Sequence, residues 1–150
     1  MQTRRAVTRY LGVDLGTRRI GVAVSDELGL TAQPLPTLEA ATEESALAAI
    51  RDLIDRYDAQ EVVVGLPKNM NGTLGPAADR ALAFARRLGE GGTPKVTMWD
   101  ERLTSRAAER LLIEADVRRA KRKRAVDQMA AVLILQGFLD RHGRQGDRPS

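Results

Sequence analysis

The 150-residue chain has no cysteine, one histidine and few aromatic residues, which make up 3% of its length. The lack of cysteine excludes disulfides, thiolate chemistry and cysteine-ligated zinc. Because the single histidine, His142, lies near the end of the chain, we interpret it as a solvated residue and expect no histidine-based mechanism. With so few aromatic side chains, the core must be built from aliphatic residues.

Long apolar runs are also missing. None approaches the roughly 20 residues that a membrane-spanning helix needs. Residues 1–8 contain arginines and polar side chains and lack the apolar segment of a secretory signal. We therefore interpret them as a frayed extension and expect a cytoplasmic protein with no membrane partner.

The composition is that of a globular protein with a basic surface. Hydrophobic residues make up 43% of the chain, and 24 Lys and Arg against 20 Asp and Glu give a net charge of +4. The length suits one domain, which we place at residues 9–141, and the polar tail 142–150 is expected to be disordered. The positive charge favours a polyanionic partner such as nucleic acid.

The hydrophobic pattern predicts an α/β fold in the order βββαβαβαα. Residues 10–16 and 20–25 alternate as an antiparallel hairpin, and a weaker third strand within 28–38 carries Pro34 and Pro36, which indicate a sheet edge. The later elements are a helix over 42–57, a buried strand over 61–66, a helix from Pro76 to near Gly89, a buried strand over 96–99, a helix capped by Thr104 or Ser105, and a helix over 125–141. This order predicts a mixed five-stranded sheet with helices on both faces.

Asp14 is the first candidate for chemistry. It lies inside the first predicted strand, on the same face as Gly12, although aspartate is depleted in strand interiors. A buried carboxylate is costly unless it is paired or binds a metal. Asp14 is therefore either a ligand or a carboxylate satisfied by the backbone, by Arg18 or by Arg19.

Two further acidic positions stand out. Asp127 shares the apolar face of the last predicted helix, although compensation of the helix dipole is an alternative role. Asp100 and Glu101 directly follow the buried strand 96–99, at a strand end where α/β folds bind ligands. Residues there could also form a solvated loop, and neighbouring side chains in an extended segment point opposite ways, so the pattern does not choose between the two acids.

Separated carboxylates in a chain without cysteine suit a hard cation such as Mg²⁺ or Mn²⁺. Two such ions can activate a water and stabilise the leaving oxygen of a phosphodiester. The acids together therefore predict a metal-dependent nuclease.

Basic and amide side chains near these acids are candidate substrate contacts. Six of the seven residues in 118–124 are basic, and this run precedes the helix that carries Asp127, although such a run can also be a solvated loop. The segment 66–72 follows the strand 61–66 and offers donors to phosphate oxygens, or forms a plain turn. The predicted contacts are Lys68, Asn69, Arg102, Arg118, Arg119, Lys121, Arg122, Lys123 and Arg124.

Four blocks in this order and spacing resemble the YqgF/RuvX family of pre-16S rRNA nucleases, also called Holliday junction resolvase-like proteins. They are LGVDLGTRRIGVAVSD (11–26), VVVGLPKNMNGTLGP (62–76), WDERLTSRAAE (99–109) and KRAVDQMAAVLIL (123–135). The resemblance implies an RNase H-like fold and a divalent-metal nuclease. It also implies that Asp14, Glu101 and Asp127 are the catalytic carboxylates and metal ligands, and we expect them to bind two ions.

Several functions remain open at this stage. The favoured one is 5′-end processing of pre-16S rRNA in ribosome biogenesis, and the alternative is resolution of branched DNA, which would need two active sites and hence a homodimer. The segment 14–17 also resembles the phosphate-binding hairpin of sugar-kinase and actin-like ATPases, which need a second such domain. A non-catalytic nucleic-acid-binding module is a further alternative.

Overall fold

The structure is a computed structural model that describes residues 9–16, 18–39, 41–69, 71–103 and 119–143; the side chains of Leu103 and of residues 119–128 lie outside this description. The expected N-terminal extension 1–8 and the predicted helix after Thr104 or Ser105 lie outside the described residues, as do residues 144–150 of the expected tail.

Five strands form one mixed sheet, as the sequence predicted. They are β1 (Arg9–Leu15), β2 (Arg19–Ser25), β3 (Ala32–Glu39), β4 (Ala59–Leu66) and β5 (Lys95–Asp100), and their spatial order is β3-β2-β1-β4-β5. β2 is antiparallel to β1 and β3, whereas β4 and β5 run parallel to β1. β1 is the central strand, and the carboxyl ends of β1, β4 and β5 meet at one edge of the sheet.

The alternating pattern of β1 sets which residues face each side. Leu11 and Val13 are fully buried on one face of the sheet, while Gly12 faces the other side. Pro34 and Pro36 lie in β3, which is an edge strand as predicted. An edge strand tolerates proline because its outer N–H groups need no partner strand.

Helices α1 (Glu43–Tyr57) and α2 (Pro76–Leu88) cover the Leu11 face of the sheet. Thr42 caps α1 by accepting a hydrogen bond from the Ser45 backbone N–H at 3.0 Å. α2 begins at Pro76, whose missing N–H costs nothing in the first turn of a helix. The core on this face includes Leu11, Val13, Val22, Leu47, Ile50, Val62, Val64, Ala81, Phe84 and Leu88.

Helix α3 (Arg119–Phe138) covers the opposite face and continues into a π-helical turn, Leu139–Gly143. Its buried residues are Ala131, Ile134, Leu135, Phe138 and Leu139, together with Trp99 of β5. The backbones of α3 and β1 approach closely, since a Cβ atom on Gly12 would lie 2.7 Å from Leu135 Cβ. No helix in the described part of the chain is long and apolar enough to cross a membrane.

The start of α3 corrects the sequence prediction, which began this helix at residue 125. The basic run is helical from Arg119 onward instead of forming a loop. Lys and Arg are good helix formers, but a solvated first turn carries no apolar periodicity that could mark it in the sequence. Residues 142 and 143, which the sequence analysis assigned to the tail, belong to the π-helical turn.

Candidate active site

Asp14 lies one residue before the end of β1, on the face that α3 covers. Its side chain is half-buried, and it shares this face with Gly12. Val13 pairs with Val64 of β4, so the next residue of β4, Gly65, lies beside Asp14. Asp14 therefore occupies the sheet edge where β1, β4 and β5 end.

Glu101 reaches Asp14 from two strands away. It follows β5 directly, as the first residue of a 3₁₀ turn, Glu101–Leu103. Its side chain lies over Gly65: a Cβ atom there would be 2.9 Å from both Cγ and Oε2 of Glu101. The Glu101 carboxyl forms a hydrogen bond with the carboxyl of Asp14. The structure thus brings together two of the three predicted catalytic acids.

The contact between the two carboxyl groups changes their protonation. Burial raises the pKa of Glu101 to about 8, and the charge of Asp14, its hydrogen bond and the charge of Asp100 act in the same direction. Two carboxyl groups at hydrogen-bond distance cannot both ionise at low cost. Near neutral pH the pair therefore holds a proton that a bound cation would displace.

Asp100 is held by cations and has no part in this pair. Its carboxylate accepts hydrogen bonds from Arg102 at 2.7 Å and 3.1 Å and lies 3.8 Å from Lys68 Nζ. The hydrogen bond from Arg102 is the main reason why the pKa of Asp100 lies below its ordinary value. The geometry distinguishes two acids that the sequence pattern left open, because Glu101, and not Asp100, contacts Asp14.

The loop between β4 and α2 lies against this end of the sheet. Asn69 is fixed by hydrogen bonds to Thr73, from its backbone N–H at 2.9 Å and from Nδ2 to the hydroxyl at 2.9 Å. Arg102 Nη1 lies 3.5 Å from where a Cβ atom of Gly72 would be. The loop carries Lys68 and Asn69, so three of the predicted substrate contacts lie close together here.

The third predicted acid, Asp127, lies in α3, one helical turn before Ala131. The Ala131 carbonyl oxygen is 3.0 Å from where a Cβ atom of Gly12 would be. The side chain of Asp127 lies outside the described part of the structure, and within that part no three His, Cys, Asp or Glu side chains form a metal cluster. Its role as a ligand stays a prediction.

The side chains of the predicted basic contacts at residues 118–124 also lie outside the described part of the structure. Arg118 lies outside the described residues, and the others belong to the first turns of α3: Arg119, Lys121, Arg122, Lys123 and Arg124. Only the backbone course of these residues is described, so their contact with substrate also stays a prediction.

Gly65 is a functional position that the sequence analysis missed. A side chain there would meet Ile134 Cδ1 at 2.6 Å and Glu101 at 2.9 Å, so only glycine leaves room for Glu101 between β4 and α3. The sequence does contain a signal for this position, because a glycine that interrupts a buried run of valines often marks the close approach of another group.

Comparison with known proteins places the chain in a family. A family model named RuvX and described as "Holliday junction resolvase" matches residues 8–141. A protein of Bacillus cereus (strain AH187) named "Putative pre-16S rRNA nuclease" is 55% identical over 135 residues, which cover 89% of this chain and 98% of that protein. The chain belongs to the RuvX family. A RuvX relative of the same name in Bacillus thuringiensis (strain Al Hakam) is 54% identical over 134 residues, or 88% of this chain and 98% of the relative.

Solved structures confirm the predicted RNase H-like fold of this RuvX chain. RuvC of T. thermophilus in complex with a Holliday junction substrate superimposes with a TM-score of 0.59 at 16% identity, over 91% of this chain and 96% of that one. The Holliday junction resolvase of fowlpox virus gives a TM-score of 0.54 at 18% identity, over 89% of this chain and 99% of that one. At such identities the likeness shows the fold alone.

Proposed function

We propose that this RuvX protein is a divalent-metal-dependent nuclease whose metal ligands are Asp14, Glu101 and Asp127. The contact between Asp14 and Glu101 carries the proposal. Two acidic side chains that share a proton at a half-buried position destabilise the folded protein. Their presence therefore indicates a function that needs both of them. A cation between them removes that cost.

The donor chemistry of the pair fits Mg²⁺ or Mn²⁺. Carboxylate oxygens are hard ligands, and both acids lie at the carboxyl edge of the sheet, where a substrate can approach. A bound divalent ion, or two, supplies water activation and charge stabilisation for phosphodiester hydrolysis. The protein's own part is to hold one acid on β1 and the other in the turn that follows β5, with Gly65 providing the space between them.

The course of α3 supports Asp127 as the third ligand. Phe138 lies beside Tyr10 of β1, with ring centroids 5.7 Å apart, and Ala131 and Leu135 lie over Gly12. As residue numbers rise along β1 they therefore fall along α3. One further turn of the helix leads from Ala131 to Asp127, toward the Asp14 end of the strand.

The substrate we propose is precursor 16S rRNA, cut during processing of its 5′ end in the cytoplasm. Support comes from the name of relatives that are 55% identical over nearly their whole length. Lys68, Asn69, Arg102 and the basic first turns of α3 would hold the phosphate backbone.

Branched DNA is the second candidate substrate, because the description of the matching family is Holliday junction resolvase. A resolvase must cut two strands of one junction, so this candidate also requires a homodimer.

A cleavage panel separates these candidates. Purified protein with Mg²⁺ or Mn²⁺ is incubated with a structured rRNA precursor, single-stranded RNA and a four-way DNA junction, each labelled at one end. We expect a defined cut in the rRNA precursor. Paired cuts in the junction alone would favour the resolvase, and no cut in any substrate would leave a binding module.

A further inference from the structure

A cavity of about 230 Å³ opens beside the β1–β2 turn, on the face of the sheet opposite the Asp14 side chain. Leu15 and Gly16 line it from the end of β1, and Thr42 lines it from the start of α1. Because Leu15 directly follows Asp14, the cavity begins one residue from the carboxylate pair, at the same edge of the sheet.

The floor of the cavity is apolar. Ile20, Ala46 and Phe84 line it, and all three belong to the core between the sheet and helices α1 and α2. A floor of this kind suits the face of a planar, weakly polar group. The volume lies below the roughly 300 Å³ at which pockets for drug-sized ligands begin, so it suits a single base and no longer segment.

The rim of the cavity is basic. Arg18 and Arg80 are both exposed there, and neither forms an ion pair with another residue in the described ranges. Arg80 is held against the turn, since its Nη2 donates to the Gly16 carbonyl oxygen at 2.8 Å. Both guanidinium groups line the same cavity, and guanidinium donors suit phosphate oxygens, so the rim favours an anion.

One acid, Glu43, lines the cavity, and an arginine shared with Glu44 offsets part of its charge. Glu43 forms an ion pair with Arg87 from the end of α2, and Arg87 also contacts Glu44 at 3.1 Å. Glu43 therefore opposes an incoming phosphate less than its position suggests.

We propose that this cavity, with Arg18 and Arg80 at its rim, binds one nucleotide of the substrate strand, its base over the apolar floor and its phosphate against the two arginines. The inference rests on the proposed nuclease function. Since the cavity and the carboxylates share one sheet edge, the bound nucleotide lies close to the phosphate that is cut. It positions the cleavage site without contacting the reacting atoms.

An abasic scan in a binding assay tests this proposal. A labelled oligonucleotide that spans the cleavage site has one nucleotide at a time replaced by an abasic unit, and its affinity is measured by fluorescence anisotropy with Mg²⁺ on the Asp14→Asn protein. We expect one position near the cut to weaken binding about tenfold, the scale of losing one stacked base.

Filling the cavity should remove that dependence. Ala41 is exposed and lines the cavity, so Ala41→Phe fills it from the rim, whereas Ala48→Phe adds the same ring to an exposed site of α1 outside the cavity. We expect Ala41→Phe to bind the intact strand about tenfold more weakly and to give a flat scan, and Ala48→Phe to behave like its parent. A flat scan with the parent, or an unchanged scan with Ala41→Phe, overturns the proposal.

A second pair of variants tests the arginines at the rim of the cavity. Arg80→Gln should weaken binding severalfold, whereas Arg86→Gln, at an exposed position of α2 that does not line the cavity, should not. AMP should compete with the oligonucleotide; AMP that binds the cavity without competing would mean a free-nucleotide site and overturn the proposal. If the wild-type protein cleaves but the scan on the Asp14→Asn protein is flat, this inference alone is rejected. If the wild-type protein cleaves nothing, the nuclease function is rejected.

Discussion

The carboxyl groups of Asp14 and Glu101 form a hydrogen bond across Gly65, the strand residue between them. Three strands position this contact: β1 carries Asp14, Glu101 directly follows β5, and β4 lies between them with a glycine at the point of contact. The carboxyl pair is therefore sensitive to substitution of Gly65, although this residue has no side chain that could take part in the reaction.

Gly65→Ala should therefore separate the two acids. The new Cβ would lie 2.9 Å from Glu101 and 2.6 Å from Ile134, so something must move. We expect a loss of about 1–3 kcal/mol in the free energy of unfolding and a loss of cleavage by the folded protein. Urea unfolding and initial rates measure the two effects.

Gly137→Ala is the control for Gly65→Ala. It also adds a Cβ atom at the interface of α3 with the sheet, 2.9 Å from the Trp99 ring, but away from both acids. It should affect stability while the folded fraction keeps its cleavage rate. An equal loss of cleavage in both variants would mean that Gly65 acts only through packing.

Metal binding should release a proton below pH 8. The pKa of Glu101 in the metal-free protein is about 8, and a carboxyl group must lose its proton to bind a cation. The apparent metal affinity should therefore rise with pH and level off above pH 8. Calorimetry in two buffers of different ionisation enthalpy should report about one proton released per binding event near pH 6.5, and none from Glu101→Gln. A pH-independent affinity would contradict the carboxyl pair.

The same shift predicts how the stability of the metal-free protein depends on pH. Because the pKa of Glu101 rises from 4.5 to about 8 on folding, the unfolded chain loses this proton first as pH rises. The contribution of protonated Glu101 to the free energy of unfolding is therefore complete below the pKa of the unfolded chain. It is lost as pH rises through the pKa of the folded protein.

Glu101→Gln should consequently be more stable than wild type above pH 8 and lose less stability between pH 5 and pH 8. Urea unfolding with EDTA measures this, with Glu90→Gln at an exposed position as the control. Identical pH profiles of stability for Glu101→Gln and wild type would show that folding does not raise the pKa of Glu101.

Asp100 and Glu101 should differ sharply when each is replaced. Asp100 accepts hydrogen bonds from Arg102 and lies near Lys68, so Asp100→Asn should cost less than tenfold in kcat/KM. Glu101→Gln removes a proposed metal ligand and should cost at least about a hundredfold, the scale of losing one strong transition-state contact. Steady-state kinetics on the rRNA precursor measures both. The reverse order would exchange the roles of the two acids.

Reversing charge in the first turns of α3 should flatten the salt dependence of substrate binding. Each phosphate contact adds roughly 0.7–0.9 to the slope of log K against log salt. Lys121→Glu with Lys123→Glu should therefore reduce the slope by about one to two. Arg56→Glu is the control, because Arg56 lies in the last turn of α1, where it pairs with Asp52. An unchanged slope would remove these turns from the substrate path.

The sequence was sufficient for the architecture because local patterns determine it. Alternation in β1 placed Asp14 on the face opposite Leu11 and Val13, and Pro34 and Pro36 predicted the edge strand. These assignments depend only on the alternation of side chains along a strand and on the missing N–H of proline. Both can be recognised in a single sequence.

Long-range contacts decided the rest. The choice between Asp100 and Glu101 depends on how the chain turns at the end of β5, where Arg102 and Lys68 hold one acid and Gly65 admits the other. The beginning of α3 escaped prediction because a basic helical turn has no apolar face to reveal it. Neither feature is visible within a short window of sequence.

The central claim is that the carboxyl pair binds a catalytic metal, and Asp14→Asn tests it most directly. Cleavage and binding of the rRNA precursor are measured side by side with Mg²⁺ or Mn²⁺ for wild type and variant. The account predicts that cleavage falls by at least about a thousandfold, while the dissociation constant for the precursor stays within about threefold. Cleavage that survives Asp14→Asn would contradict it.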